Sequence, residues 1–332
     1  MKGRTTALIY MHDNPDPDAL AAAMGLRWLL EHELGATVTL AHGGIVGRAQ
    51  NRAMVDTLKV TLMPVEQIDP DAFEVIALVD SQPETGNNSL PVGHRIEIVI
   101  DHHPLRPGSA RAAWCDVRPE FGATSTIVFE YLRTRGVPLD ARLATAFFFA
   151  LRTETRDLGR ESTDAEREAY LSLITLVDHG LLYRMSHPKV PCAHFAALDR
   201  ALRSAQVFGE IVAVNLGTLR YPDLVAEIAD LLLSYESAHM VLCIGEYDKN
   251  AYLSLRMEAD NARAGAVMRH IVGHDGAAGG HGTMAGARLF ATVASEAALE
   301  ATFQEMVRRL LEALGHPPAA GEPLLRFNNP RS

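Results

Sequence analysis

The chain has 332 residues, enough for two domains with separate cores. Its 48% apolar and 22% charged content is ordinary for a globular protein, and no apolar run approaches the roughly 18 residues of a membrane span. A formal net charge of −10 argues against wrapping long duplex nucleic acid by counterion release, and leaves a small phosphate ligand open.

The first strand is expected over residues 6–11. Its apolar run Ala7-Leu8-Ile9-Tyr10 is too short for a signal-peptide core, and Cys115, Cys192 and Cys243 lack metal-ligand spacing and read as buried thiols, so a cytoplasmic protein is expected. The strand breaks into His12-Asp13-Asn14-Pro15-Asp16-Pro17-Asp18, a strand-to-helix turn fixed by two prolines, before an alanine-rich helix over 19–34. Asp16 and Asp18 suit the first turn of a helix, where negative charge is favourable. Three metal-competent groups within seven residues favour a second role, His12, Asp16 and Asp18 as hard-cation ligands.

A second strand (37–41), a helix (48–58) and a buried strand (75–79) follow, the last ending at Asp80. The β-branched run Ile96, Ile98, Val99 and Ile100 ends in Asp101-His102-His103-Pro104, where Pro104 stops further ladder pairing. Strands alternating with helices predict a doubly wound, mainly parallel α/β sheet, which gathers its carboxyl ends along one ligand-binding edge. Three such ends carry metal-competent side chains.

A helix opens near Thr124 or Ser125, either a plausible N-cap, and runs through Leu132. An apolar helix over 143–151 leads into Arg152-Thr153-Glu154-Thr155-Arg156-Asp157, and 163–185 reads as helical. Prolines 188 and 191 then mark a boundary: a catalytic domain over 1–185, a linker over 186–205, and a smaller mixed α/β domain over 206–332. In the second domain, strands are expected over 211–216, 240–244 and 252–257, and helices over 223–233, 261–272 and 296–314. The glycine-dense stretch Gly279-Gly280-His281-Gly282, continuing to Gly286 and Arg288, reads as a loop whose backbone N–H groups approach an anion, with His281 and Arg256 beside it.

The ordered motifs resemble the DHH phosphoesterase family over nearly the whole length. His12 to Ala19 resembles its first motif, Asp80 its second and Asp101-His102-His103-Pro104 its third, while the glycine stretch with Arg256 resembles the C-terminal DHHA1 domain. Within the family the pattern is most similar to the oligoribonuclease and pAp-phosphatase branch (nanoRNases). The resemblance implies that His12 and Asp16 hold one metal, Asp18 and His102 the other, and that Asp80 bridges them. It also implies that His103 faces the scissile phosphate, that Asp101 orients the histidines, and that Arg256, Gly279, Gly280 and His281 grip the substrate. The fourth motif departs from the family's usual Thr-Asp-Thr: here it is Thr153-Glu154-Thr155, so Glu154 or Asp157 supplies that ligand.

Mixed carboxylate and imidazole donors suit Mn²⁺ better than Mg²⁺ or structural Zn²⁺. Two such ions about 4 Å apart can activate a shared hydroxide for in-line displacement at phosphorus. The expected activity is hydrolysis of short oligoribonucleotides or pAp, with short substrates favoured by a two-domain clamp that lacks a basic tracking surface. The expected partners are thus short RNA or nucleotide phosphates, without membrane or long duplex, and a homodimer is compatible with an apolar helix such as 224–233. Alternatives from the same chemistry are cyclic or linear dinucleotides, pyrophosphate or polyphosphate, and single strands cut as by RecJ. A nucleotide-binding protein without catalysis is the alternative from another class.

Overall fold

The computed structural model describes residues 3–160, 162–258, 263–317 and 320–325, with the His281 side chain outside the described residues. Two compact units divide the chain, Met1–Lys189 and Val190–Ser332.

In the first unit, strands β1 (Thr6–Tyr10), β2 (Thr37–His42), β3 (Met63–Pro64), β4 (Val75–Val79), β5 (Ile98–Asp101) and β6 (Trp114–Val117) pair in parallel, in the order β3-β2-β1-β4-β5-β6. The chain winds outward from β1 to β3, returns beside β1 at β4, and winds the other way. That reversal puts a topological switch between β1 and β4. Successive side chains face opposite sides of the sheet. Ala7 and Ile9 thus join Val75, Ala77, Val79, Ile98 and Ile100 in one core, while Leu8 and Tyr10 join Ile76, Leu78 and Val99 in the other.

Helices α1 (Pro17–Leu34), α2 (Ala49–Thr57), α3 (Thr124–Arg135), α4 (Ala141–Glu154), α5 (Asp164–Leu173) and α6 (His179–Ser186) complete the first core. The opposite face is covered by residues such as Ile68, Phe73, Leu90, Ile96 and Ala112 outside the α-helices, so the β4–β5 and β5–β6 connections run without an α-helix, the latter with a short 3-10 turn over Pro107–Arg111. The start of α1 follows directly from its sequence. Asp16 sits at the N-cap and accepts from the backbone of Asp18 and Ala19, Pro17 occupies the first helical position, and Gly35 ends the helix in the left-handed conformation. The region expected as one helix over 163–185 is two, because Asp178 accepts from Gly180 N and Leu181 N and starts α6 anew.

The second unit is a mixed sheet of β7 (Gln206–Phe208), β8 (Ile211–Thr218), β9 (Met240–Tyr247), β10 (Asn250–Met257), β11 (Gly276–His281), β12 (Met284–Thr292) and β13 (Glu322–Pro323), ordered β11-β12-β10-β9-β8-β7-β13. β8 and β9 run parallel; the other described pairs are antiparallel. Helices α7 (Cys192–Ser204) and α8 (Leu224–Leu232) cover one face, and α9 (Ala264–Val272) and α10 (Glu296–Ala313) the other. Helix α7 occupies most of the segment read as a linker. The start expected for α9 at Asn261 lies outside the described residues. The glycine-dense stretch is a hairpin rather than a phosphate-cradling loop, with Gly279 opposite Gly286 and Gly280 opposite Ala285. Glycine is required at Gly280, where φ is 145° and a Cβ would meet the Met284 carbonyl oxygen at 2.4 Å, and at Gly265 of α9, where a Cβ would meet the Gly280 carbonyl oxygen at 2.0 Å. Among the described residues, no helix is long and apolar enough to cross a membrane.

Candidate metal centre

The carboxyl ends of β1, β4 and β5 meet at the switch and deliver His12, Asp80, and His102 with His103. The Nδ1 of His12 donates to the Asp13 carbonyl at 2.8 Å, and that of His102 to the Phe121 carbonyl at 3.2 Å. A carbonyl oxygen only accepts, so in each ring Nε2 is the atom left to face the cluster. His12 Nε2 lies 3.5 Å from Asp80 Oδ2 and 3.8 Å from Asp16 Oδ1, and His102 Nε2 lies 3.7 Å from Asp80 Oδ1. Ligand-type atoms of His12, Asp16 and Asp80 fall within 4.8 Å of one another, as do those of Asp80, His102 and His103. Asp80 belongs to both groups and is 2% exposed.

Three supports hold Asp80 in place. Its backbone takes a positive φ of 54°, its amide donates to Ile100 O at 3.0 Å, and Thr124 Oγ1 donates to its Oδ1 at 2.8 Å. Asp18 stands behind it, accepting from Thr124 N at 2.7 Å and Ser125 N at 2.9 Å. Neither Thr124 nor Ser125 is therefore the N-cap of α3. Ala123 holds that place without a side-chain bond, and Asp18 supplies the cap from a distant segment. The bond from Thr124 to Asp80 carries no signal in the sequence, because a threonine at a helix start already has an ordinary explanation as an N-cap.

Glu154 is the last residue of α4, with Oε1 3.6 Å from Arg160 Nη2. Asp157 is more exposed and pairs with Arg152. Electrostatics associates Glu154 with the cluster. Burial first, then the negative charge of Asp16, raises its carboxyl above the ordinary range, and His102 acts in the opposite sense. Burial and the neighbouring Asp80 likewise push Asp18 well up. Burial opposes charge at Asp16 too, but the hydrogen bond and charge of His12 outweigh it and hold Asp16 well below its usual range. Burial also disfavours the charged form of His12, yet Asp16 and Asp80 raise its pKa well above that of a free imidazole. Carboxylates crowded this closely repel one another, and a divalent cation is the group that would relieve the repulsion. The oxygen and imidazole donors fit a hard or borderline ion such as Mn²⁺.

His103 differs from its neighbour. Its side chain is 33% exposed against 6% for His102, and its Nδ1 lies 2.8 Å from Asp101 Oδ1. Asp101 is 1% exposed and also accepts from the His103 backbone at 3.1 Å. Burial opposes charge on His103, but Asp101 and Asp80 raise its pKa to about 9.

In the second unit Arg256 of β10 stands opposite Met284 of β12, which stands opposite His281 of β11, and Gly279 and Gly280 precede His281 on that strand. Arg256 is 4% exposed, with Nε donating to Asp230 Oδ1 at 2.6 Å and Nη1 to Ser254 Oγ at 2.8 Å. Asp230 lies 26 residues away on α8, too far for any local pattern to announce the pair. Gly279 and Gly280 are exposed on the edge strand β11. The expected contribution of the His281 side chain lies outside the described residues.

The N-terminal domain of the DHH family matches residues 6–151, and the DHHA1 domain matches residues 211–314. The chain belongs to the DHH family. It is 32% identical over 315 residues to an uncharacterized protein of Methanocaldococcus jannaschii, covering 93% of this chain and 64% of that protein, hence less than two thirds of the relative's length. It is 26% identical over 143 residues to a probable manganese-dependent inorganic pyrophosphatase of Staphylococcus aureus, covering 43% of this chain and 46% of that one. Among solved structures, an exopolyphosphatase-related protein from Bacteroides fragilis is similar with a TM-score of 0.74 at 16% identity, covering 94% of each chain. RecJ from Thermus thermophilus, in complex with Mn²⁺, is similar with a TM-score of 0.53 at 14% identity, covering 95% of this chain and 53% of that one. These two likenesses establish the fold.

Proposed function

We propose that the chain is a divalent-metal-dependent phosphoesterase that hydrolyses short oligoribonucleotides and pAp, with two metal ions, Mn²⁺ foremost. The observation that carries this reading is the sharing of Asp80 between two ligand groups. In the proposed assignment His12 and Asp16 hold one ion, Asp18 and His102 the other, Asp80 contributes to both, and Glu154 is the fourth-motif ligand. Bound divalent ions supply Lewis acidity and positive charge toward phosphoryl oxygens.

The chain's own groups do the rest. Nδ1 of His103 is engaged by Asp101, so Nε2 is the atom it offers to a phosphoryl or leaving oxygen as hydrogen-bond donor. The exposed backbone of Gly279 and Gly280 is the proposed contact for a second phosphate or terminal nucleotide. Similarity to a probable manganese-dependent pyrophosphatase of Staphylococcus aureus supports the metal, and the net charge of −10 supports short substrates over long ones.

The test is product release with Mn²⁺ from pAp, from 5′-labelled RNAs running from dinucleotides to long oligomers, and from pyrophosphate. Asp80→Asn is the comparison, and Mn²⁺ binding is followed by calorimetry. Turnover is expected on pAp and the shortest RNAs, falling with length, and the variant should lose about 100- to 1,000-fold in kcat. Turnover that grows with length would shift the reading to a processive exonuclease. Wild-type activity in Asp80→Asn would sink the metal assignment.

A further inference from the structure

Gln82 lies two residues beyond Asp80 and is 0% exposed. Its Oε1 accepts from Arg106 N at 2.7 Å and from Ser109 Oγ at 2.8 Å. Its Nε2 donates to Asp101 Oδ2 at 2.7 Å and to Pro104 O at 3.2 Å. Backbone partners fix which way the amide points, because Arg106 N can only donate and Pro104 O can only accept. The N–H aimed at Asp101 is therefore set by the loop. Asp101 is gripped from both sides: Oδ2 by Gln82, and Oδ1 by the backbone and Nδ1 of His103. A carboxylate with donors on both oxygens cannot turn without breaking one of them.

We infer that Gln82 is a positioning residue: its buried amide fixes Asp101 and the 104–109 segment together, and through Asp101 fixes the direction in which His103 Nε2 points. A neutral donor suits this task. An arginine or lysine would also hold Asp101 but would draw its charge away from His103, whereas an amide leaves that charge for the imidazole. An apolar side chain of the same length would pack but bond nothing. The catalytic consequence rests on the hydrolytic reading above; the orientation of His103 does not.

The experiment follows the His103 Nδ1 proton by NMR in the full-length, metal-free protein with labelled histidine. Wild type is compared with Gln82→Met and Gln82→Glu, the second of which keeps the acceptor for Arg106 and Ser109. Wild type is expected to show a downfield, slowly exchanging Nδ1 proton. In whichever variant melts like wild type, that signal should be lost or shifted while the other histidine signals stay. In the Mn²⁺-loaded protein, kcat should then fall about 10- to 100-fold, with KM and Mn²⁺ affinity within about threefold. An unchanged His103 signal in a variant that melts like wild type overturns the inference. So does a loss of Mn²⁺ affinity as large as the loss of kcat, which would mark a merely structural role. Absence of hydrolysis in wild type with the His103 signal still dependent on Gln82 would sink the proposed function and leave the positioning role standing.

Discussion

Asp80 carries its carboxylate on a backbone at φ 54°, a region most L-residues avoid and that Asp and Asn tolerate best. Position 80 thus asks for a ligand atom and a left-handed backbone at once. The same strain recurs beyond Glu154, where Arg156, Asp157 and Leu158 take φ values of 48°, 55° and 67° in succession. Arg160 N closes that turn on Thr155 O at 2.8 Å and brings Arg160 back beside Glu154. A left-handed backbone costs a non-glycine residue about 1–2 kcal/mol, and glycine returns part of the gain through the unfolded chain. Arg156→Gly is therefore expected to stabilise the metal-free protein by roughly 0.5–1 kcal/mol in a urea or thermal melt. A loss would show that the contacts of the Arg156 side chain outweigh its backbone. At this scale the sequence announced His12, Asp80, His102 and His103, because each is polar and abuts a buried strand. Gln82 and Thr124 carried no such signal, since their roles depend on partners reached only in the folded chain.

Helix α1 shows how an element can position ligands through small residues. Asp16 and Asp18 lie at its start, and its middle passes Phe147 of α4 so closely that a Cβ on Gly25 would sit 2.3 Å from Phe147 Cζ and 2.9 Å from Val128 Cγ1. Phe147 is 1% exposed and has no free space to enter, so Gly25→Ala should destabilise by about 1–3 kcal/mol in chemical denaturation. A neutral result would mean that the α1–α4 contact relaxes. Just past β6, Arg118 donates from Nε and Nη2 to the two oxygens of Asp116, both at 2.8 Å, and the Tyr131 hydroxyl donates to Asp116 as well. Burial opposes the charged form of Asp116, but these hydrogen bonds hold its pKa below 3.8. The charged form is favoured by folding, so its stabilisation is full above the ordinary carboxylate range and disappears as pH falls through the lower folded value. Asp116→Asn should melt below wild type near neutral pH, and the gap should close on acidification; a constant gap would contradict the assignment. Strand β6 escaped the sequence reading because its four residues interleave polar and apolar types too briefly to show a period. The β11–β12 hairpin escaped it because glycine density marks a loop as readily as a tightly packed strand.

The alternation of strands and helices revealed the first unit and its ligand edge, since a parallel sheet leaves few ways to connect its strands. The segment read as a linker holds α7 because Pro188 and Pro191 both precede its first residue, Cys192, and proline at a helix start punctuates a sequence much as it does in a loop. All the proposed metal ligands fall between His12 and Glu154, inside the unit ending at Lys189, while the second unit has cores of its own on both faces of its sheet. A cation that binds only the folded state stabilises it by about 2.7 kcal/mol at 100 times its dissociation constant. Its effect here should be largest where it removes repulsion between Asp18, Asp80 and Glu154. Hydrogen exchange with Mn²⁺ against EDTA is therefore expected to show gained protection in β1, β4, β5 and the first turn of α3, where Thr124 and Ser125 donate to Asp18. Peptides from residues 211–314 should exchange alike in both conditions, and Asp80→Asn should abolish the gain. Equal protection across both units would instead require that the cation stabilise the chain as a single cooperative body, which two separate cores give no reason to expect.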